Sequence, residues 1–160
     1  MAWTFVRPTF FMQNWVLYNA ASIRAGQTVY ANAGDARIAW VDTRDIADVA
    51  AAALTSSAHD GRIYDLTGPE ALSYGQCVER LGALVGRKVQ YVAVPDRAAF
   101  DGMRGAGMPA DYAWSLVTLN QAVRRGLAAT TTDSVEVVTG KPARTLDAFF
   151  RESLAEFRGK

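Results

Sequence analysis

The spacing of hydrophobic residues changes along this chain, and it predicts strands alternating with helices first and mostly helices later. Alternating or short continuous apolar runs indicate strands, whereas apolar positions three and four apart indicate helices. We expect strands at residues 2–6, 29–30, 38–41, 62–66 and 89–94. We expect a helix ending near Gly26, helices after Asp42 and Ser73, and helices near 97–104, 110–125, 134–139 and 146–157. This order predicts part of an α/β sheet with a small α-rich lobe attached.

The first predicted strand has a composition that suits burial. Residues 2–6 are largely aromatic or β-branched, as in a parallel-sheet strand buried on both faces. Arg7 and Pro8 are expected to end it, because proline cannot continue a central ladder. The strand either lies at a sheet edge or has neighbours outside these 160 residues, and we favour the second alternative. Its unpaired edge predicts pairing with another chain, most simply in a symmetric dimer or through an exchanged element.

Polar side chains stand where several of the helices are predicted to begin. Asp42 and Asp45 suit the cap and first turn of one helix, Ser73 and Gln76 form a capping-box pattern, and Thr145 precedes the last helix. We interpret Asp42 and Asp45 as capping residues, with a catalytic carboxylate pair as the alternative. The helix after Asp42 has one apolar stripe, made of Ile46, Val49, Ala50, Ala53 and Leu54.

Composition and charge narrow the possible functions. Half of the 160 residues are hydrophobic, 21% are charged, and 17 Lys and Arg against 16 Asp and Glu leave a net charge of +1. Nucleic-acid binding is not expected, because it needs a clustered basic excess. A single cysteine and a single histidine argue against a disulfide framework and against a Cys- or His-based metal site. Without a long apolar window or a basic leader, we expect one cytoplasmic domain that does not enter a membrane.

The sequence contains no recognisable dinucleotide fingerprint or nucleophile–base set. The glycines of residues 102–107 follow a predicted helix rather than a strand, so we interpret them as a helix-to-helix turn. None of the tyrosines is followed four residues later by a lysine that could lower the phenol pKa. His59 lies in a polar turn and is expected in a surface loop, and Cys77 is expected to be buried. The catalytic residues therefore stay unassigned.

The best candidate for a binding site is the aromatic segment after the first strand. Ligands of open α/β sheets bind beyond the carboxyl ends of the strands. The residues at that position are Arg7, Pro8, Thr9, Phe10, Phe11 and Asn14. Flat apolar side chains with one amide and one hydroxyl suit a planar, mostly apolar ligand. Composition alone favours the alternative, in which the same aromatic residues fill the core between strand and helix.

An ordered set of segments resembles the NmrA-like proteins, which are atypical short-chain dehydrogenases that include NAD(P)H:quinone oxidoreductases. The segments are residues 3–14 (WTFVRPTFFMQN), the Gly34–Asp35 turn, residues 38–47 (IAWVDTRDIA), 64–73 (YDLTGPEALS), 86–91 (GRKVQY) and 139–149 (TGKPARTLDAF). The resemblance spans essentially the whole chain. It covers only the C-terminal portion of the family, because the family's N-terminal, glycine-rich cofactor-binding half has no counterpart in these residues.

The resemblance implies a fold, a site and a cofactor. The fold is the C-terminal part of a Rossmann-like parallel sheet plus a small α-rich substrate lobe. It forms one unit over residues 1–160, with late sheet elements in 1–70 and mainly the lobe and C-terminal helices in 71–160. In the family the segment after the corresponding strand lies beside the nicotinamide and the substrate. Pro8, Thr9, Phe10, Phe11 and Asn14 are therefore expected to line the pocket, with NADP or NAD as cofactor and no metal.

Three functions agree with this resemblance. The first is the substrate-side half of an NAD(P)H-dependent oxidoreductase of quinones or other small carbonyl compounds, expected to transfer no hydride alone. Its partner would be a second copy or a complementing N-terminal half. The second is a non-catalytic small-molecule-binding or regulatory module. The third is a cofactor-independent lyase or cyclase, with Asp42 or Asp101 as the acid or base to test.

Overall fold

The computed structural model describes residues 2–26 and 28–158 and has a mixed α/β fold. Within these residues the strands form three two-stranded sheets. β1 (Thr4–Pro8) is parallel to β4 (Arg62–Leu66), and β2 (Val29–Ala31) is parallel to β6 (Tyr91–Ala93). The third sheet is antiparallel and joins β3 (Arg37–Ile38) to β5 (Leu72–Ser73). Parallel strands and many helices are thus confirmed, although one pair is antiparallel.

The helices account for most of the chain after residue 42. The first helical segment is a π-helix (Trp15–Asn19) that continues directly into α1 (Ala20–Arg24). The remaining helices are α2 (Thr43–Thr55), a short 3₁₀ helix (Ser57–His59), α3 (Tyr74–Val85), α4 (Asp96–Gly105), α5 (Ala110–Arg124), α6 (Ser134–Thr139), α7 (Leu146–Glu152) and α8 (Leu154–Phe157).

The predicted capping residues are confirmed. The Asp42 carboxylate accepts a hydrogen bond from the Arg44 backbone N–H at 2.9 Å, so it caps α2. Ser73 and Gln76 form a complete capping box at the start of α3, and Thr145 caps α7. These contacts are local in sequence, which is why the pattern alone predicted them.

The prediction for the first strand was wrong in two respects. Its side chains alternate between half-buried and exposed, and Phe5 is 56% exposed, because only one face of the β1–β4 pair is covered. The strand also continues through Arg7 and Pro8. The Thr9 N–H donates to the Leu66 carbonyl at 3.0 Å, so the alternation of the backbone turns the proline nitrogen toward the opposite edge. Proline therefore costs no hydrogen bond with β4.

The predicted helix end near Gly26 is confirmed, since α1 ends at Arg24, although a π-helix precedes it. Three further boundaries differ from the prediction. The strand expected at 38–41 ends at Ile38, and Val41 instead forms an isolated parallel bridge with Phe11. The strand expected at 89–94 is confined to Tyr91–Ala93, and the last helix is interrupted at Ser153.

The main hydrophobic core is built around large aromatic side chains. Trp15 is fully buried, and its ring centroid lies 5.6 Å from that of Trp40, 5.3 Å from that of Tyr74 and 5.7 Å from that of Phe150. A smaller hydrophobic cluster, to which Val49 belongs, lies between α2, β4 and α6. Leu54 belongs to neither cluster and is 87% exposed, so its place in the predicted stripe was wrong. The stripe fails at its end because α2 extends past the surface that covers it.

Gly68 permits a close backbone approach at the rim of this core. A Cβ atom at this position would overlap the carbonyl oxygen of Trp40 and lie 3.1 Å from its carbonyl carbon. The backbone of the segment carrying Trp40 is therefore held against residue 68 at a distance that only glycine allows.

Candidate functional site

A cavity of about 580 Å³ opens beside the aromatic core. Its walls come from the segment after β1, from the end of β2 and the turn after it, and from α4 and α5. This volume is in the range of sites for small organic ligands. Residues from both predicted regions of the chain, 1–70 and 71–160, contribute to the walls. The cavity therefore exists only in the folded structure.

The walls of the cavity are uncharged. The lining side chains are mainly aromatic and aliphatic, and the polar ones are the amides Asn14, Asn19, Asn32 and Asn120 together with three tyrosines. No Lys, Arg, Asp, Glu or His is among the described residues that line it. Such a surface suits an uncharged ligand, since an ion would lose its hydration without gaining a partner.

Aromatic rings form much of the inner wall. The Phe10 and Trp40 rings lie edge to face with centroids 5.8 Å apart, and Trp40 and Tyr74 do the same at 5.4 Å. Burial raises the pKa of the Tyr74 phenol well above its usual value. Nearer to solvent, the Tyr18 hydroxyl lies 3.2 Å from the Tyr112 hydroxyl, and this hydrogen bond raises the pKa of Tyr18. The phenols of Tyr18 and Tyr74 therefore stay neutral at physiological pH.

A hydrogen-bond network fastens α4 and α5 to the turn after β2. The buried Asn32 amide donates to Asp96 at 2.8 Å and accepts from Asn120 at 2.7 Å. Asp96 also accepts from Gln121 at 2.8 Å and pairs with Arg124 at 2.7 Å. Hydrogen bonds from Arg124, then from Asn32 and Gln121, hold the pKa of Asp96 far below its usual range. The outer wall of the cavity is therefore held by a carboxylate that is fully ionised at neutral pH.

One buried hydrogen-bond donor beside the cavity has no acceptor in the described part of the chain. The indole nitrogen of Trp15, a cavity-lining residue with 0% exposure, makes no hydrogen bond within residues 2–26 and 28–158. The corresponding nitrogen of Trp40 donates to the Leu72 carbonyl at 3.3 Å. A buried N–H without an acceptor is uncommon and costs about 1–3 kcal/mol.

The structure places only two of the five predicted pocket residues in the cavity wall. Phe10 and Asn14 line it. Pro8 lies within β1, the Thr9 hydroxyl donates to the Ala39 carbonyl, and Phe11 forms the bridge to Val41 with its side chain 37% exposed.

Most of the cavity wall was not predicted from the sequence. Its members include Trp15, Tyr18, Tyr30, Asn32, Trp40, Tyr74, Met103, Met108, Leu119 and Asn120. The one signal available in the sequence was the helical spacing of Leu116, Leu119 and Asn120, which places them on one face of the helix predicted at 110–125. No local pattern reveals the rest, because they come from separate elements that meet only after folding.

The other chemically interesting residues lie outside the cavity wall. Asp42 is fully buried as a helix cap, and Asp101 pairs with Arg97 at 2.8 Å on the surface of α4. Cys77 is buried, as predicted, and burial raises the pKa of its thiol strongly. His59 is the last residue of the short 3₁₀ helix, and its Nδ1 atom lies 2.8 Å from the Tyr64 hydroxyl.

The glycines of residues 102–107 lie at the C-terminal end of α4 and in the turn that leads to α5, as the sequence predicted. In the described part of the chain, no cluster of three or more potential metal ligands occurs. The same residues include no helix long and apolar enough to cross a membrane.

Comparison with known proteins gives the class to which this fold is related. No protein-family profile matches the chain. It is 42% identical to the NAD(P)H azoreductase of Xenophilus azovorans over 98% of the chain and 54% of that protein. It is 38% identical to the (4-alkanoyl-5-oxo-2,5-dihydrofuran-3-yl)methyl phosphate reductase of Streptomyces griseus, over 96% of the chain and 52% of that protein. The chain thus spans about half the length of the curated relatives it matches.

The solved structures with a similar fold also include reductases. The NADPH-dependent quinone oxidoreductase of Escherichia coli has a TM-score of 0.88 at 21% identity, with 96% of this chain and 56% of that chain covered. The triphenylmethane reductase of Citrobacter has a TM-score of 0.82 at 23% identity, with 96% and 53% covered. The NmrA transcriptional regulator bound to NAD has a TM-score of 0.65. The neighbours include an NADPH-dependent quinone oxidoreductase and the NmrA regulator, so the fold agrees with the resemblance found in the sequence.

Proposed function

We propose that this chain is the substrate-side half of an NAD(P)H-dependent oxidoreductase that acts on quinones or other small carbonyl compounds. The observation that carries the proposal is the uncharged, aromatic cavity of about 580 Å³. It lies in a fold shared with reductases that use NADPH. Its walls can hold a flat acceptor, exclude water and orient polar atoms through the amides of Asn14 and Asn19, which do not cap the helices that follow them.

The described residues do not fit the pyrophosphate part of a dinucleotide. Folds of this class hold that group at a helix N-terminus behind a glycine-rich loop that follows a strand. The clustered glycines lie instead at the C-terminal end of α4, where the helix dipole disfavours an anion. We therefore propose that this chain alone does not position NAD(P)H for hydride transfer.

The exposed face of the β1–β4 pair supports a missing complement. Trp3, Phe5 and Ile63 are 44%, 56% and 50% exposed there, and Phe5 lies opposite Ile63 in the register. An exposed apolar sheet face with open edges favours association. We propose that a complementing half of the fold covers this face in the active protein, as the greater length of the relatives suggests.

The decisive experiment adds the complementing half of the fold to this chain. The portion of the Xenophilus azovorans azoreductase that this chain does not match is fused to the chain, and NADPH oxidation is followed with a quinone acceptor. We expect turnover by the fusion and none by the 160-residue chain, with calorimetric binding of NADPH to the fusion only. Ordinary enzymatic rates from the chain alone would contradict the half-site proposal. A folded, NADPH-binding fusion without turnover would contradict the reductase proposal.

One observation favours a second candidate, a non-catalytic binding or regulatory module. The described cavity wall offers no Asp, Glu, His or Lys for proton transfer, and one structural neighbour is a regulator in complex with NAD. The inactive, NADPH-binding fusion described above is the result expected for this candidate. The lyase or cyclase alternative has less support, because Asp42 and Asp101 lie outside the cavity wall.

A further inference from the structure

We infer that the α4–α5 hairpin is a lid that controls entry to the cavity, hinged at its base and latched at its tip by the Tyr18–Tyr112 hydrogen bond. The hairpin comprises residues 95–125, and its base is the pair Asp96 and Arg124. Because the lid regulates the same site, this inference rests on the proposed function.

The two ends of the hairpin meet at one polar network, which forms the hinge. Asp96 is the first residue of α4 and Arg124 the last residue of α5, and the two side chains pair at 2.7 Å. The Asn32 amide donates to Asp96 at 2.8 Å, and the Arg124 guanidinium donates to the Asn32 carbonyl. Val123, the neighbouring residue of α5, belongs to the main hydrophobic core. The base of the hairpin is therefore fixed to the turn after β2 and to the core.

Beyond this base, α4 is held only weakly. None of its ten residues, all of which the structure describes, is fully buried. Its aromatic side chain packs on the partner helix, with the Phe100 and Trp114 rings edge to face and their centroids 5.7 Å apart. A helix that buries no side chain completely gains little free energy from packing and separates from its support at low cost. The two helices are therefore expected to move together, as one lid.

The tip of the hairpin, residues 105–112, reaches the other side of the cavity. It contributes Met108 to the cavity wall. Tyr18, on the π-helix that follows β1, also lines the cavity, and its hydroxyl lies 3.2 Å from the Tyr112 hydroxyl. Among residues 2–26 and 28–158, this is the only hydrogen bond that joins residues 97–116 to a segment outside the hairpin. The tip is therefore fastened at a single point.

This latch is weak enough to open and close. The side chains of Tyr18 and Tyr112 are 50% and 46% exposed, so water can replace each hydroxyl as a partner of the other. One neutral hydrogen bond between exposed groups shifts an equilibrium by only about fivefold. Breaking it frees the tip while the ionic base stays intact, which is the asymmetry that a hinged lid requires.

Cysteine labelling measures entry to the cavity. Ala31 lines the cavity on the fixed side, at the end of β2, so Ala31→Cys reports access. The natural Cys77 is buried and stays in place. Mass spectrometry follows the reaction with bulky fluorescein-5-maleimide and with small methyl methanethiosulfonate. We expect Tyr112→Phe to speed the bulky reagent about fivefold and the small one less. An unchanged rate with the bulky reagent would overturn the latch.

Two controls separate lid opening from general loosening. Tyr64→Phe removes a tyrosine hydroxyl that contacts His59 away from the cavity, and it should leave labelling of Ala31→Cys unchanged. Leu54→Cys, at an 87% exposed position outside the cavity wall, should react at the same rate with and without Tyr112→Phe. Faster reaction at this position as well, or an equal effect of Tyr64→Phe, would contradict a lid.

Distances between spin labels test the position of the hinge. One label at Glu79→Cys, on α3, is combined with a second at the tip, Ala110→Cys, or at the base, Arg125→Cys; all three positions are exposed. With Tyr112→Phe, double electron–electron resonance should show a larger second population for the tip pair and an unchanged base pair. Equal changes in both pairs, or no change at the tip, would overturn the hinge.

None of these measurements uses a nucleotide, a substrate or turnover. The lid can therefore be confirmed when the proposed reductase activity fails, and it can fail when that activity is found. The two failures are distinguishable because labelling and distances report access and motion, whereas NADPH oxidation by the fusion reports the reaction.

Discussion

Asp42 provides the sharpest test of how the predicted helix start works in the folded protein. Its carboxylate has no exposure to solvent. It accepts from the backbone N–H of Arg44 at 2.9 Å, from the Arg44 guanidinium at 2.6 Å and from the Gln13 amide at 2.9 Å. The same side chain therefore caps α2 and fastens it to the segment that leads into the cavity. Replacing it by alanine and by asparagine separates capping from charge.

The expected costs follow from these contacts. Loss of an N-cap costs about 1 kcal/mol, and loss of a partly buried hydrogen bond to a charged group costs about 2 kcal/mol. The ion pair with Arg44 adds little, because that guanidinium is 46% exposed. We expect Asp42→Ala to lower the free energy of unfolding by about 3 kcal/mol. Asp42→Asn keeps a capping oxygen and should cost about 1 kcal/mol.

The pH dependence of this effect has a defined sign. Burial by itself would raise the pKa of Asp42, but hydrogen bonds from Arg44 and Gln13 outweigh burial and lower it. A carboxyl whose pKa is lower in the folded state stabilises the protein above its unfolded pKa of about 3.9. That contribution is lost as the pH falls through the folded pKa. The stability difference between the natural protein and Asp42→Asn should therefore be constant from pH 7 to about 5 and shrink below about 4.

Urea unfolding followed by tryptophan fluorescence measures these differences. The control is Asp101→Ala, which removes an exposed pair with Arg97 within α4 and should leave the unfolding midpoint unchanged. A cost below about 0.5 kcal/mol for Asp42→Ala would refute the assignment of a buried cap. A difference from Asp42→Asn that stays constant down to pH 3 would refute the lowered pKa.

Three further variants test other parts of the structure. Gly68→Ala should cost at least about 2 kcal/mol in urea unfolding because its methyl group overlaps a backbone carbonyl, whereas Gly75→Ala, with only ordinary contacts, should not destabilise. Phe5→Lys should reduce self-association in sedimentation velocity at high micromolar concentration, and the same change at Leu54 should not. A fully monomeric natural chain would contradict the expectation that the exposed face drives pairing between copies of this chain. Asp96→Ala should speed hydrogen exchange in α4 and α5, and unchanged exchange would contradict the fastening role of the network.

The confirmed predictions are the ones that depend on residues close together in the sequence. The caps Asp42, Ser73 and Thr145 act within one turn of their own helix. The order of strands and helices likewise follows from local periodicity. These features need no knowledge of what packs against them.

The first strand shows where local reasoning ends. Its aromatic composition predicted burial on both faces, but Phe5 is exposed because one face of the sheet has no cover among the described residues. Whether a hydrophobic residue is buried depends on elements elsewhere in the chain or in a partner. The boundary at Pro8 failed for a related reason, since the edge to which its nitrogen points is set by pairing with β4.

The sequence predicted a pocket beside the segment after β1, but only the tertiary structure shows which residues line the cavity. Phe10 and Asn14 follow β1, and sequence reasoning placed both beside a pocket. The opposite wall comes from α4 and α5, which the Asn32–Asp96 hydrogen bond helps hold in place across 64 residues of sequence. The sequence by itself thus determined the local elements, their caps and the absence of a phosphate-loop pattern. Only the folded chain decided which side chains line the cavity and that the Trp15 indole N–H has no acceptor among the described residues, because both depend on contacts between distant segments.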